Sequence, residues 1–311
     1  MDHTQPALHE LAHTTSTQDA ARELRQHGAA RPFVVLTRDQ RGGRGRLGRP
    51  WRLPPGSGLA LTLARRSSLR PAARSWYPLV VALGVIEALR AEDLGTGVGL
   101  KWPNDILTAQ GRKLGGILLE GDDEDGVLVG IGVNLAGPID LEDPRALAPG
   151  WLWGEGGISP GTPAPAGPEP GESEPEEVRA LARDIAEHVE AELHRLDVHG
   201  GDAMASGQRS RYGMACLTLG REVRFHAADL AGSADGTAQT ATAIRIDGDG
   251  RLVLRPADGP ERTVSAGDVR HVRVVPDGAP APVAPPGRSA PPAASDAPPA
   301  TTPESDQETH P

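Results

Sequence analysis

The chain has 311 residues, room for one large domain and a smaller one, and a formal net charge of −10. Such an acidic balance argues against a chain built as a whole to coat nucleic acid or an anionic membrane, although a basic cluster at residues 38–52 can still hold phosphates. With 39 Gly, 30 Pro and only 3% aromatic residues, a sizeable part lies outside packed core, and aliphatic side chains must carry the burial.

Residues 1–15 are short, polar and mixed in charge, unlike a secretory signal. A helix is predicted from Ser16, because Ser16 and Asp19 have capping-box spacing and Gly28 stands where a C′ residue belongs. Strand-like apolar runs follow at 33–37, 59–64, 97–100, 114–120 and 127–135. Between them a mostly buried helix over 75–91 carries Leu79, Val80, Leu83, Ile86 and Leu89 on one broad face. The longest apolar stretch, 78–86, is too short to span a bilayer, so a cytoplasmic protein without membrane contact is expected. Crowded Gly, Pro and Glu at 154–175 predict a flexible insertion. Helical periodicity resumes with Val178, Leu181, Ile185, Val189 and Leu193. Cys216 is the only cysteine, which excludes an intrachain disulfide and suits a reducing compartment. Short strands and turns occupy 217–275, with a hairpin signal at 247–250 between strands at 243–246 and 252–254. The expected organisation is a short leading segment (1–15), a catalytic α/β domain (16–210), a small β-barrel-like domain (211–276) and a disordered Pro/Ala-rich tail (277–311).

Four segments carry candidate chemistry. Gln40-Arg41-Gly42-Gly43-Arg44-Gly45-Arg46-Leu47-Gly48-Arg49-Pro50-Trp51 follows a strand. Its glycines let backbone approach a ligand, and its arginines supply bidentate donors for carboxylate or phosphate. A dinucleotide reading of Gly43, Gly45 and Gly48 needs a helix next, and Pro50, Pro54, Pro55 and Gly56 follow instead. A solvated basic loop is the other alternative. Lys101-Trp102-Pro103-Asn104-Asp105 closes a strand and sets an amide and a carboxylate where sheet ligands bind, although an ordinary turn would use the same residues. Arg112-Lys113-Leu114-Gly115-Gly116-Ile117-Leu118-Leu119-Glu120 puts a lysine at the mouth of an apolar strand, either as an anion partner or as a solvated terminus. Gly130-Ile131-Gly132-Val133-Asn134-Leu135 ends an apolar strand on an amide that needs a partner if buried.

Taken together, in this order and spacing, these segments resemble the catalytic domain of biotin protein ligases. Ser16-Thr17-Gln18 resembles the family's Ser-Thr-Asn start of the first helix. The resemblance is close over roughly 14–136 and weaker through Gly250-Arg251-Leu252-Val253-Leu254 and Ser265-Ala266-Gly267-Asp268-Val269. It implies an α/β or α+β fold of the class II synthetase-like biotin/lipoate ligase type, a mixed sheet with helices, followed by a small SH3-like β-barrel.

The resemblance also implies residue roles. Ser16, Thr17 and Gln40 hold the ureido part of biotin; Arg44, Gly45, Arg46, Lys113, Gly115 and Gly116 complete its site. Arg44, Arg46, Arg49, Trp51, Lys101, Asn104 and Asn134 surround ATP and the adenylate. Arg46, Lys113 and Asp105 are the catalytic candidates, with Asp105 a candidate Mg2+ ligand. Gln18 stands in place of the family's asparagine. The implied reaction uses biotin, ATP and Mg2+ to form biotinyl-5′-AMP. It then acylates a lysine of a biotin carboxyl carrier protein, or of a carrier domain of an acyl-CoA or pyruvate carboxylase. A homodimer is compatible with an exposed strand edge. With fifteen residues ahead of Ser16, no DNA-reading domain and no DNA partner are expected. Two alternatives stay open: a lipoate or octanoate ligase, and a non-enzymatic biotin-sensing regulator.

Overall fold

A computed structural model of the chain describes residues 6–140, 146–168, 172–226, 238–265 and 273–274. The tail expected at 277–311 lies outside the described residues. Strand β1 (Ala7–Glu10) precedes helix α1 (Thr17–Gln26). Ser16 holds the extended backbone of an N-cap, its hydroxyl accepting from the Asp19 amide at 3.5 Å, and Gly28 leaves the helix at φ +95°. Then come β2 (Phe33–Thr37), the two-residue strands β3 (Gly43–Arg44) and β4 (Pro50–Trp51), β5 (Gly58–Arg66), α2 (Tyr77–Ala91), β6 (Val98–Lys101), β7 (Asp105–Thr108), β8 (Lys113–Gly121) and β9 (Gly126–Asn134).

Seven of these strands form one sheet in the order β1-β2-β5-β9-β8-β7-β6, in which only β1 and β2 run parallel. Side chains alternate across a sheet with period two. On one face the alternation presents Leu59, Leu61, Leu63, Val129, Ile131 and Val133, which join α2 and α3 (Glu176–Val198) in the main core. The opposite face packs Phe33, Val35, Ala64 and Leu128 under Ala21 of α1. Further along, that same face carries Ala60, Thr62, Gly116, Gly130 and Gly132, held beside one another by the β5–β9 and β8–β9 registers. Large aliphatics on one side and small or polar residues on the other leave a hollow over half of the sheet.

After α4 (Gln208–Ala215), the strands β10 (Glu222–His226), β11 (Ala238–Ile246), β12 (Leu252–Arg255), β13 (Arg262–Val264) and β14 (Arg273–Val274) make an antiparallel sheet ordered β13-β12-β11-β10-β14. The described part of this sheet belongs to the same compact unit as the large one. Two buried indoles fasten it there: Trp76 Nε1 donates to the Gly248 carbonyl (2.7 Å) and Trp102 Nε1 to that of Gly250 (3.0 Å). Both acceptors lie in or beside the hairpin turn that the sequence marks at 247–250.

The described residues of the 154–175 stretch, which the sequence marks as an insertion, make contacts with the body. Arg38 donates to the carbonyls of Pro165 (3.0 Å) and Ala166 (2.9 Å), and the Glu174 amide donates to Glu10 Oε2 (3.0 Å). Ile158 and Ala164 pack on the main core. A buried guanidinium needs several acceptors, and the proline-rich carbonyls, unpaired by any strand, supply them. No helix among the described residues is long and apolar enough to cross a membrane.

Candidate active site

The hollow over the small-residue face is a cavity of about 630 Å³, roofed by the loop that carries β3 and β4. Of the residues singled out from the sequence, Ser16, Thr17, Gln40, Arg44, Gly45, Arg46, Arg49, Trp51, Lys101, Asn104, Asp105, Lys113, Gly116 and Asn134 all line it. Residues far apart in the chain meet because β5, β9 and β8 are adjacent and the loop folds back across them.

One end is polar and nearly charge-free. Thr62 Oγ1 donates to Thr17 Oγ1 (2.8 Å), which donates to Gln40 Oε1 (3.2 Å); the Thr17 amide reaches the same oxygen at 2.9 Å. Ser16, Thr17 and Thr62 are buried here. Gln18 lines the same end, buried, with Nε2 donating to the Leu118 carbonyl at 3.1 Å. These groups form a preset array of donors and acceptors at the start of α1.

The other end is cationic. Lys113 Nζ lies 2.7 Å from Asp105 Oδ1, and Lys101 Nζ lies 3.4 Å from Oδ2. Burial pushes the Asp105 carboxyl up, but the two ammonium groups outweigh it and hold the group below its ordinary value of 3.8. Arg46 Nη1 donates to Asn104 Oδ1 at 3.2 Å, and burial pushes this guanidinium below its ordinary value despite nearby Asp105. Asn104 is itself fixed, its Nδ2 donating to the Ile117 carbonyl at 2.9 Å. Arg44 turns toward α1, where it makes a two-pronged pair with Asp19 at 2.7 Å for each contact.

Trp51, in the roof loop, reaches down to the sheet. Its indole lies over Gly132, where a Cβ would fall 2.6 Å from the ring, and Lys113 Nζ sits 5.2 Å from the ring centroid. Asn134 Nδ2 donates to the carbonyls of Lys113 (2.9 Å) and Gly150 (2.8 Å), which fixes the amide. Its Oδ1 and Trp51 Nε1 are both buried and have no hydrogen-bond partner among the described residues. Both residues line the cavity, so a buried acceptor and a buried donor lie unpaired beside it.

Two of the residues singled out from the sequence sit differently from the rest. Gly115 does not line the cavity: the alternation of β8 turns it to the opposite face, where a Cβ would fall 2.6 Å from the Gly132 carbonyl, so it serves strand packing. Asp105 does not fit a resident Mg2+, because both its oxygens are engaged by ammonium groups; nor do three His, Cys, Asp or Glu side chains gather for a metal among the described residues. The sequence reading also missed part of the wall. Thr62, a fully buried lone hydroxyl within the apolar strand β5, stands behind the lining and supports Thr17, a pattern that signals a polar partner. Ile139, Asp140, Ala146 and Pro149, beyond β9, line the cavity without any such signal.

Residues 10–134 match the Biotin/lipoate A/B protein ligase family, and residues 218–272 match the Biotin protein ligase C terminal domain. A Paracoccus denitrificans protein named biotin–[acetyl-CoA-carboxylase] ligase is 41% identical over 154 residues, covering 47% of this chain and 63% of the relative, less than two thirds of its length. The Mycobacterium tuberculosis protein of the same name is 31% identical over 248 residues, covering 77% of this chain and 79% of the relative. Among solved structures, biotin protein ligase from Aquifex aeolicus in complex with biotin and ATP superposes with a TM-score of 0.63 at 23% identity, covering 86% of this chain and 99% of that one. At that identity the likeness speaks to the fold.

Proposed function

Since the chain belongs to the biotin protein ligase family, we propose that it activates biotin with ATP and transfers the acyl group to a carrier-protein lysine. The observation that carries this reading is the pairing, within one cavity, of a polar end (Ser16, Thr17, Gln40, with Thr62 bonded to Thr17 from behind) with a cationic end (Lys113, Lys101, Arg46). Biotin has those two ends: a ureido ring rich in donors and acceptors, and a carboxylate. A lipoyl dithiolane offers no donor or acceptor to the Thr17 and Gln40 side chains that face the cavity.

The chemistry requires two anions, the biotin carboxylate and the α-phosphate, to meet out of water. Lys113 and Arg46 offset their repulsion and stabilise charge on the phosphorus as it becomes five-coordinate. A carboxylate oxygen attacks the α-phosphorus, the bond to the bridging oxygen breaks, and pyrophosphate leaves. Magnesium accompanies ATP as part of the substrate. Trp51 Nε1 and Asn134 Oδ1 suit the mixed donor and acceptor edge of a nucleobase. In the second half-reaction the neutral amine of the carrier lysine attacks the acyl carbon, the acyl–oxygen bond breaks, AMP leaves and the amide forms. Asp105, ionised between Lys101 and Lys113, adds a negative charge that can draw the incoming ammonium, and the proton freed as the amide forms leaves to solvent.

The names of the Paracoccus and Mycobacterium relatives point to a carboxylase as acceptor, and therefore to a biotin carboxyl carrier protein or carrier domain. Incubating the protein with biotin, ATP, magnesium and such a domain should add one biotinyl group at a single carrier lysine, read by mass spectrometry. An unmodified carrier with all components present would reject the reading.

A further inference from the structure

Arg44 belongs to the roof loop, yet both of its terminal nitrogens face away from the cavity's cationic end. They meet the two oxygens of Asp19 at 2.7 Å each, the fork-to-fork geometry of a strong charge-assisted pair. Asp19 also accepts from Arg22 at 2.9 Å, and Glu120 at the end of β8 lies 3.8 Å from Arg44 Nε and pairs with Arg22. Through its backbone amide, Asp19 is bonded to the Ser16 cap, one residue from Thr17. A single carboxylate therefore joins the helix start that lines the polar end to the loop that covers the cavity. The loop tip gains little from packing: Leu47 lines the cavity but is 57% exposed, with φ +59°. Closure thus depends on side-chain anchors flanking the tip, namely Arg44 on Asp19, Arg46 on Asn104 and Trp51 on Gly132.

We propose that Asp19 is a positioning residue that latches Arg44, holds the loop shut over the cavity and so retains the acyl-adenylate until the carrier arrives. The retention rests on the ligase reading above; the latch itself does not. An adenylate that escapes is lost to water: a water oxygen attacks the acyl carbon, the acyl–oxygen bond breaks, AMP leaves, and the biotin carboxylate returns with release of a proton. The latch acts on this leak and leaves the adenylation step itself alone. Because the pair is partly exposed, its loss should shift the open fraction of the loop by about three- to tenfold.

The test compares the full-length wild type with Asp19→Asn and Asp19→Glu. Amide hydrogen exchange over residues 43–46, without ligands, should be about three- to tenfold faster in D19N and near wild type in D19E, with equal melting temperatures. With biotin, ATP and limiting carrier domain, the ratio of AMP released to biotin transferred should rise about three- to tenfold in D19N, while biotin-dependent pyrophosphate exchange stays within about twofold. Unchanged loop exchange and an unchanged AMP ratio in D19N would overturn the latch, as would a D19E variant as leaky as D19N. If the wild type gives no biotin-dependent exchange, the ligase reading and the retention fall together, while the amide-exchange comparison still decides whether Asp19 holds the loop.

Discussion

Replacing Lys113 with Gln separates a catalytic role from a structural one. In the folded protein its ammonium lies 2.7 Å from Asp105 and 5.2 Å from the Trp51 ring centroid, with 28% of the side chain exposed. At that separation, and at an effective dielectric of about 20, the gross attraction to Asp105 is roughly 6 kcal/mol. Desolvation and solvent screening cancel most of this, and Lys101, 3.4 Å from the other carboxylate oxygen, still compensates the charge after substitution. The net loss of stability should therefore be only about 1–2 kcal/mol. Adenylation should suffer far more, because a preorganised charge aimed at the reacting phosphate is worth about 10²-fold or more in rate. Urea melts and biotin-dependent pyrophosphate exchange, run on the same preparation, read the two quantities side by side. A variant that exchanges within about threefold of wild type per folded molecule, or one whose lost activity only follows its lost stability, would refute the assigned role.

Three further outcomes follow from the same geometry. Arg46→Ala should lower adenylation by about 10²-fold and weaken binding of preformed adenylate, measured by single-turnover kinetics and calorimetry. Gly132→Ala places a methyl group where the Trp51 ring now lies, so it should displace the indole, lower stability by about 1–3 kcal/mol and raise the KM for ATP more than the KM for biotin, followed by tryptophan fluorescence and steady-state kinetics. Folding lowers the Asp105 pKa, so its stabilisation is present above the ordinary value of 3.8 and is lost as pH falls through the lower folded value. The stability gap between wild type and Asp105→Asn, about 3 kcal/mol near neutral pH for a broken, largely buried pair, should hold down to about pH 5 and close below that ordinary value, read by denaturant melts across pH.

The sheet interior was legible because β2, β5, β8 and β9 are long apolar runs bounded by turn residues, and α2 and α3 carry clear apolar faces. Other elements carry no such pattern. β1 is four residues with His9 and Glu10 among them, and it exists through parallel pairing to the distant β2. β7 starts at Asp105, where Asn and Asp after a Trp-Pro pair argue for a turn; pairing with β6 and β8 overrides that local preference. α4 buries only Gln208 and Tyr212, too few for an apolar stripe.

At the site, the resemblance located the lining residues, but it did not show which way their side chains point. The difference between Gly115 and Gly116 follows from strand alternation once the register of β8 is fixed. The pairing of Arg44 with Asp19, and the engagement of both Asp105 oxygens by lysines, depend on contacts across elements that no local pattern encodes.

The central claim is that this cavity activates biotin in preference to other acyl acids. The most direct test is pyrophosphate exchange with ATP and magnesium, comparing biotin, lipoate and octanoate at equal concentrations. The account predicts exchange with biotin and, because the Thr17 and Gln40 side chains that face the cavity lack partners in the other two, turnover lower by orders of magnitude with either. Equal or faster exchange with lipoate or octanoate would contradict it.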